Sequence, residues 1–269
     1  MDKLLTVVIT SYNVEKFLNQ TLDSFVCDEA VMKKFEVIVV DDGSKDNTAK
    51  IGKEYADKYP DTFRVISKEN GGHGSTINCG IRNAVGKYFK VVDGDDWVNT
   101  ADFVKLVEDL EKTESEYVFT NYNEYYDDVN RQKAVDFPQF KDGTEYDFAD
   151  VANKVYIPMH ALVIKTSVLK DNNIVIDEKC FYVDVEYVMF PVPFVNKVTF
   201  FDLHVYMYRL ALSTQSVSIL GFQKHINDHL RVTFHMFDFY RDYISSDKAD
   251  SAKADYMLSL IHISEPTRH

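Results

Sequence analysis

Apolar residues in the first hundred positions come in short unbroken runs, and each run ends in polar residues. Thr6-Val7-Val8-Ile9-Thr10-Ser11-Tyr12-Asn13 reads as a strand that opens into a polar turn before a helix over Glu15 to Val26. Phe35-Glu36-Val37-Ile38-Val39-Val40 reads as a second, fully buried strand, because β-branched residues follow one another without alternation. Gly43 permits the turn that follows, and Asp46 or Asn47 caps a helix over Thr48 to Tyr59. Tyr88 to Val92 is a further strand. Strands and helices alternate through residue 112, which predicts an α/β fold with a doubly wound, mostly parallel sheet. Ligands of such sheets bind beyond the carboxyl ends of the strands. Tyr12, Asp41, Asp42, Asp93, Asp95 and Asp96 are therefore expected to converge.

The densest chemistry is Val91-Val92-Asp93-Gly94-Asp95-Asp96-Trp97, where one strand delivers three carboxylates within four residues. Anions packed this closely repel one another unless a cation sits between them. A hard divalent ion, Mg²⁺ or Mn²⁺, suits oxygen ligands and can also grip phosphate oxygens. The alternative is a solvated acidic turn with an Asp as helix cap.

Taken with Val39-Val40-Asp41-Asp42-Gly43-Ser44, the run Asn70-Gly71-Gly72-His73-Gly74-Ser75-Thr76-Ile77-Asn78-Cys79-Gly80, and Ala84-Val85-Gly86-Lys87-Tyr88, these motifs resemble the family 2 glycosyltransferases of the GT-A fold, over about residues 4 to 220. The resemblance implies a Rossmann-like central sheet flanked by helices, with C-terminal helices on the acceptor side. It implies that Thr10, Tyr12 and Asp41 line a nucleoside pocket, with Asp42 beside them, and that Asp93 faces the ribose or the donor sugar. Asp95 would ligate the metal that bridges the diphosphate, and Asp96 would bind the metal or the sugar. Gly71 to Asn78, with Gly72 and Asn78 at the donor, would close over it, and Ser75 would cap the following helix. A plain flexible loop is the competing reading of the glycines. They form no Walker A loop, since no Gly-Lys-Ser/Thr follows.

Relatives place a catalytic Asp, often after a Glu, at the start of a helix under the acceptor. Phe181-Tyr182-Val183-Asp184-Val185-Glu186-Tyr187 matches this stretch, with Asp184 as the base, Val183 in place of the commoner Glu, and Glu186 as the acceptor-side fallback. Asp184 could equally cap a helix over Val185 to Val195. Val205-Tyr206-Met207-Tyr208-Arg209 followed by Thr214-Gln215-Ser216-Val217-Ser218 extends the resemblance, with Leu210-Ala211-Leu212 replacing the usual small and basic residues. Arg209 would meet the donor diphosphate, or else pair with a structural Asp. His160, between apolar neighbours, would face the acceptor or fill the core.

Composition narrows the classes. With 269 residues, 45% hydrophobic and 14% aromatic, the chain is long and apolar enough for a sizeable core. A net charge of −13 disfavours nucleic acid and anionic lipid as electrostatic partners. Cys27, Cys79 and Cys180 are scattered, which fits a reduced compartment and offers no zinc motif. No signal peptide or membrane-spanning run is visible, and Tyr122 to Asp150 reads as an irregular crossover. His225 and His229 stand four apart with His235 beyond, but a packing role outweighs zinc. Phe234, Phe237, Phe239, Tyr240 and Tyr243 are expected to pack their helix on the domain, with a membrane surface or partner subunit as the lesser reading. Leu258 to Arg268 departs from the helical pattern and resembles a translated sequencing adapter, so it is expected to be foreign, the native chain continuing past Met257.

The expected organisation is a nucleotide-sugar half (1–100), an acceptor half (101–220), a helical extension (221–257) and the foreign tail (258–269). The expected activity is inverting, metal-dependent (Mn²⁺ or Mg²⁺) transfer of a sugar from a nucleotide-diphosphate donor, UDP favoured, to a hydroxyl of a glycan or lipid-linked acceptor in surface-polysaccharide synthesis. The resemblance places this in the cytoplasm, at the inner face of the membrane where peripheral association occurs. The alternatives are a nucleotidyltransferase and a non-catalytic sugar-nucleotide-binding protein. A nicotinamide dehydrogenase is disfavoured because no Gly-x-Gly-x-x-Gly follows the first strand.

Overall fold

A computed structural model describes residues 3–210 and 223–264. Four parallel strands form the core of the nucleotide half: β1 (Leu5–Ser11), β2 (Phe35–Asp41), β3 (Phe63–Ser67) and β4 (Tyr88–Asp93), side by side in the order β3-β2-β1-β4. Every residue of β1 and β2 is buried, as their unbroken apolar runs require. Alternate side chains go to opposite faces. Val8, Ile38, Val40 and Val91 join one apolar cluster, and Val7, Ile9, Val37, Val39 and Val92 join the other.

The parallel register (Thr10 beside Val40 and Asp93) brings the carboxyl ends of β1, β2 and β4 to one edge. Three crossovers join them, carrying four helices: α1 (Leu18–Asp23) and the single turn α2 (Glu29–Met32) in the first, α3 (Thr48–Lys58) in the second, and α4 (His73–Asn83) in the third. α1 is shorter than the predicted Glu15–Val26, since Asn13 takes φ 54° and residues 14–17 form a turn. At α3 the capping oxygen is that of Asp46, which accepts from Thr48 N at 3.0 Å; the Asn47 amide reaches Glu15 instead. At α4 the cap position is Gly72 (φ 82°), not Ser75, whose hydroxyl lies inside the first turn and donates to the Gly72 carbonyl at 2.7 Å.

Beyond β4 the sheet becomes mixed. It continues through β5 (Trp97–Val98), α5 (Thr100–Asp109), β6 (Tyr117–Tyr126), β7 (Arg131–Val135), β8 (Thr144–Asp147), α6 (Phe148–Ala152), β9 (Leu162–Lys165), α7 (Thr166–Asp171), α8 (Asp184–Met189) and β10 (Lys197–Leu210). The full order is β3-β2-β1-β4-β9-β6-β10-β5, with β7 on β6 and β8 on β10. Tyr122 to Asp150, expected to be irregular, contains the end of β6, the antiparallel partner β7, and β8. The polar residues there alternate along exposed strands, which composition alone does not separate from a loop. α8 stops at Met189 instead of running to Val195, because Pro191 and Pro193 lack the N–H a helix needs, and only a short 3₁₀ turn (Val192–Phe194) follows.

Two helices close one face: α9 (Ile226–Ile244) and α10 (Ser251–Ser264). Phe239, Tyr240 and Tyr243 pack inward as expected, but Phe234 and Phe237 are exposed. The expected break in pattern at Leu258 does not occur: α10 runs on to Ser264, with Leu260 and Ile261 fully buried beside Tyr256 and Met257. Thr214 to Ser218 and Glu265 to Arg268 lie outside the described residues. No helix among the described residues is long and apolar enough to cross a membrane.

Candidate active site

The carboxyl ends of β1 and β4 and the start of α8 enclose a cleft of about 410 Å³. Thr10, His73, Asp93, Asp95, Met159, His160, Tyr182 and Asp184 line it. An adjoining cleft of about 490 Å³ is lined by Asp41, Gly43, Lys45, Lys68 and Asn70, and Tyr12 belongs to both. Thr10, Tyr12, Asp41, Asp93, Asp95, Asp96, His160 and Asp184, all singled out from sequence, therefore lie on two continuous hollows.

The three clustered carboxylates have different neighbours. Asp93 Oδ1 accepts from Thr10 Oγ1 at 2.7 Å and lies 2.9 Å from His73 Nε2. Burial pushes this carboxyl up, but His73 and Thr10 outweigh it and hold it at about 2. Asp95 is half-buried, and desolvation, then the nearby Asp93 charge, pushes it up to about 6. Asp96 is buried, and both its oxygens are engaged: Tyr206 Oη donates to it at 2.6 Å and Arg209 N at 2.7 Å. Burial, then the charges of Asp95 and Asp93, raise it well above the ordinary carboxylate range.

The Tyr206 hydroxyl also accepts from Asp93 N at 3.1 Å, which ties the acidic turn to β10. Ligand atoms of Asp93, Asp96 and His160 lie within 4.8 Å of one another. That grouping differs from the expected Asp95 and Asp96: Asp93 and His160 come in, while Asp95 lines the same cleft. Two carboxylates and an imidazole suit Mn²⁺ or Mg²⁺. His160 is held neutral, about 4, first by burial, and its ring stacks on Tyr208 at 4.0 Å. A neutral imidazole can ligate a metal or accept a hydrogen bond.

Several expected site residues act one step away from the cleft. Asp42 is buried and accepts from Gly71 N at 2.9 Å, Gly72 N at 2.8 Å and Lys68 Nζ at 2.6 Å, so it holds the glycine loop. Asn78 is also buried; its amide exchanges hydrogen bonds with Ile176 N and O at 2.9 and 2.8 Å. Glu186 is fully buried and faces His235, away from the cleft. Arg209 is buried among Phe17, Trp97 and Tyr125, and donates to Asp127, to Gln20 Oε1 at 2.6 Å and to Asp95 O at 2.8 Å, which ties it to the acidic turn.

Asp184 is the first residue of α8. Burial raises its carboxyl above the usual range, partly offset by His73 and by the amides of Asp184 and Val185. His225 packs tilted on Phe181 at 3.8 Å and His229 packs edge-on to Tyr182 at 5.6 Å, and among the described residues neither joins a metal-sized group. His73 was not singled out from sequence. It is the first helical residue after a glycine with φ 82°, a position that aims a side chain into a cleft at a helix start.

The fold and cleft are those of a doubly wound α/β protein with an acidic pocket beyond the carboxyl ends of its parallel strands. The family model for glycosyl transferase family 2 matches residues 6–172, and the chain belongs to that family. It is 37% identical over 118 residues to EpsJ of Bacillus subtilis (strain 168), an uncharacterized glycosyltransferase, covering 44% of this chain and 33% of that protein. It is 32% identical over 111 residues to GgaB of the same organism, a minor teichoic acid biosynthesis protein, covering 41% and 12%. The matched segments thus span a third or less of these relatives. The crystal structure of S. aureus TarS 1-349 in complex with UDP-GlcNAc superposes with a TM-score of 0.74 at 21% identity, over 97% of this chain and 72% of that one. A mannosyltransferase from Pyrobaculum calidifontis in complex with GDP-Man and Mn²⁺ gives 0.62 at 17% identity, over 98% and 71%. These two likenesses concern the fold.

Proposed function

We propose that this chain transfers a sugar from a UDP-linked donor to a hydroxyl of a surface polysaccharide or related glycoconjugate, with inversion and with the help of Mn²⁺ or Mg²⁺. The observation that carries the reading is that Asp93 and Asp184 line one cleft together with Tyr12, and that Tyr12 also lines the adjoining cleft that holds Asp41. The nucleoside lies against Tyr12, with its base toward Asp41. Asp93, kept ionised, accepts from hydroxyls of the ribose or sugar. Asp95, Asp96 and His160 are the residues that would help Asp93 to hold the metal, which when bound neutralises charge on the departing diphosphate.

Asp184, raised by burial, is the stronger base for that reason. It takes the proton of the acceptor hydroxyl as that oxygen bonds to the anomeric carbon, and the bond from that carbon to the diphosphate breaks on the opposite side. The donor complex of TarS and the Mn²⁺ complex of the archaeal mannosyltransferase, both of this fold, support the choice of donor class and metal.

The test is thermal stability of the full chain with UDP, GDP, dTDP or CDP, each with and without Mn²⁺. At about a hundred times its dissociation constant a ligand adds ~2.7 kcal/mol. A Mn²⁺-dependent shift with UDP, lost in Asp95→Asn, is expected. UDP release from UDP-glucose, UDP-galactose and UDP-GlcNAc then identifies the donor. No shift with any nucleotide refutes the reading.

A further inference from the structure

Behind the Asp184 wall of the cleft lies a second group of charged side chains that the proposed chemistry does not use. Glu186 shares the first turn of α8 with Asp184 and is fully buried. Its Oε1 lies 2.9 Å from His235 Nδ1 on α9, and its Oε2 accepts from Asp177 N at 2.7 Å. His235 Nδ1 is also 3.4 Å from Asp177 Oδ1, and Arg231, one turn earlier on α9, holds Asp177 Oδ2 at 3.1 Å through Nε. Asp177 belongs to the segment that Asn78 grips through Ile176 and that Lys179 N joins to the Gly71 carbonyl at 2.6 Å. The segment also presses on α4: a Cβ on Gly74 would stand 2.0 Å from Asp177 O. One chain of contacts therefore runs from α9 through His235 and Glu186 to the base helix, and through Asp177 to the glycine loop over the donor.

We propose that the His235–Glu186 pair is a proton-dependent latch by which α9 holds the start of α8, making His235 a positioning residue for Asp184. The inference rests on the reading of Asp184 as the base. A fully buried carboxylate needs a cation or several donors to stay ionised. His235 is the group here that can supply or withdraw a positive charge near neutral pH. The charged and titratable groups around it are Glu186 on α8, Asp177 on the intervening segment and Arg231 on its own helix. Cys180 nearby is pushed up to about 12 by burial and stays neutral. The Phe190 ring packs edge-on to the imidazole at 5.0 Å. The hydrogen bond to Glu186, with the Glu186 and Asp177 charges, raises His235 above its ordinary value. The sign follows: the charged pair is fully formed below about 6.5 and is lost as pH rises through the higher folded value. The neutral ring can still donate a hydrogen bond to Glu186 but no longer brings a positive charge to it. Arg231 already serves as the fixed cation of the group, so a metal is not needed there.

The test is UDP release from the donor identified above, measured between pH 5.5 and 8.5 on full-length wild type, His235→Ala and His235→Asn, well below their melting temperatures. Asn places an amide donor close to the Nδ1 position without a titrating charge. His235→Ala is expected to lower kcat about tenfold at pH 6 with the donor KM within about twofold, and the gap narrows toward pH 8.5. His235→Asn is expected to recover much of kcat and to lack the alkaline fall seen in wild type. If His235→Ala loses thermal stability but keeps the wild-type kcat and pH profile, the latch does not position the base and the proposal is overturned. If the wild type releases UDP from no donor, the glycosyltransfer reading is the one that fails. A double-mutant cycle of His235→Ala with Glu186→Gln, read by urea unfolding, then decides the latch. Coupling larger at pH 6 than at pH 8.5 supports it, and equal or absent coupling overturns it.

Discussion

Replacing Asp42 by alanine is the sharpest test of how the donor wall is built. Its carboxylate sits just past β2, is 2% exposed, and accepts from two consecutive loop amides, Gly71 N and Gly72 N, besides Lys68 Nζ. Ser75 Oγ completes the ring of donors at 3.3 Å. A hydrogen bond to a charged group contributes about 1.5–3 kcal/mol net, and a buried donor left alone costs about 1–3 kcal/mol. Lys68 is partly exposed and can turn to water, so its ion pair adds little to the loss. The Gly71 amide is buried and has no such exit. Asp42→Ala should therefore cost about 3–5 kcal/mol, close to the loss on breaking a buried charged pair. Asp42→Asn keeps one acceptor but turns an NH₂ toward donors, and should cost about 2–3 kcal/mol. Urea unfolding with unchanged m measures both, and UDP–Mn²⁺ affinity should fall in each because Gly72 leads directly into His73. A loss under about 1 kcal/mol for Asp42→Ala would refute the argument that this side chain shapes the loop.

Asp184→Asn should keep the Mn²⁺-dependent UDP shift while transfer falls about 10²–10⁴-fold, read by donor titration beside turnover; full turnover would remove Asp184 from the base role. Leu260→Ala, at a fully buried position of α10, should cost about 2–5 kcal/mol in urea unfolding, whereas a loss under about 0.5 kcal/mol would show that the end of α10 does not pack on the domain. Lys90 is fully buried, donates to the carbonyls of His160 and Leu162 at 2.8 and 3.3 Å, and is pulled down to about 7 by burial. The unfolded chain binds that proton more tightly, so the stability of wild type relative to Lys90→Met should rise between about pH 7 and pH 10, by at most ~1.4 kcal/mol per pH unit, and a flat difference would refute the shift.

The parallel core and its acidic rim were legible because the signal is local. A run such as Val37 to Val40 can be buried on both faces only in one kind of sheet, and strands of that sheet must end together. What sequence could not separate is a side chain that faces a ligand from one that faces the protein. Asp41 and Asp42 are neighbours, yet one lines a cleft and the other holds Gly71 and Gly72. Asp184 and Glu186 share a helical turn and point to different partners. Arg209 and Asp127 meet across 82 positions, a separation at which local pattern carries no information. The polar strands β7 and β8 were missed for a related reason: they take their order from pairing with β6 and β10, not from an apolar face of their own.

The acidic turn shows why the number of carboxylates matters less than their partners. Three aspartates with equal surroundings would repel equally, and their protons would leave in spread macroscopic steps that belong to the group and not to any one of them. Here the fold breaks the equality. Asp93 is held ionised by His73 and Thr10 and can accept from a bound sugar or ribose at neutral pH. Asp96 gives its oxygens to Tyr206 and Arg209 and so fixes the turn to β10. Asp95 lines the cleft, and its proton is the one most easily displaced by an arriving divalent ion, since its repulsion from Asp93 is relieved when a cation comes between them. Asp93 is thus ionised at neutral pH, while in the same cleft burial raises Asp184 above the usual carboxylate range. The cleft thus sets one depressed carboxylate, Asp93, among raised ones, Asp95, Asp96 and Asp184, and on the proposed reading Asp184 is the raised one that takes a proton.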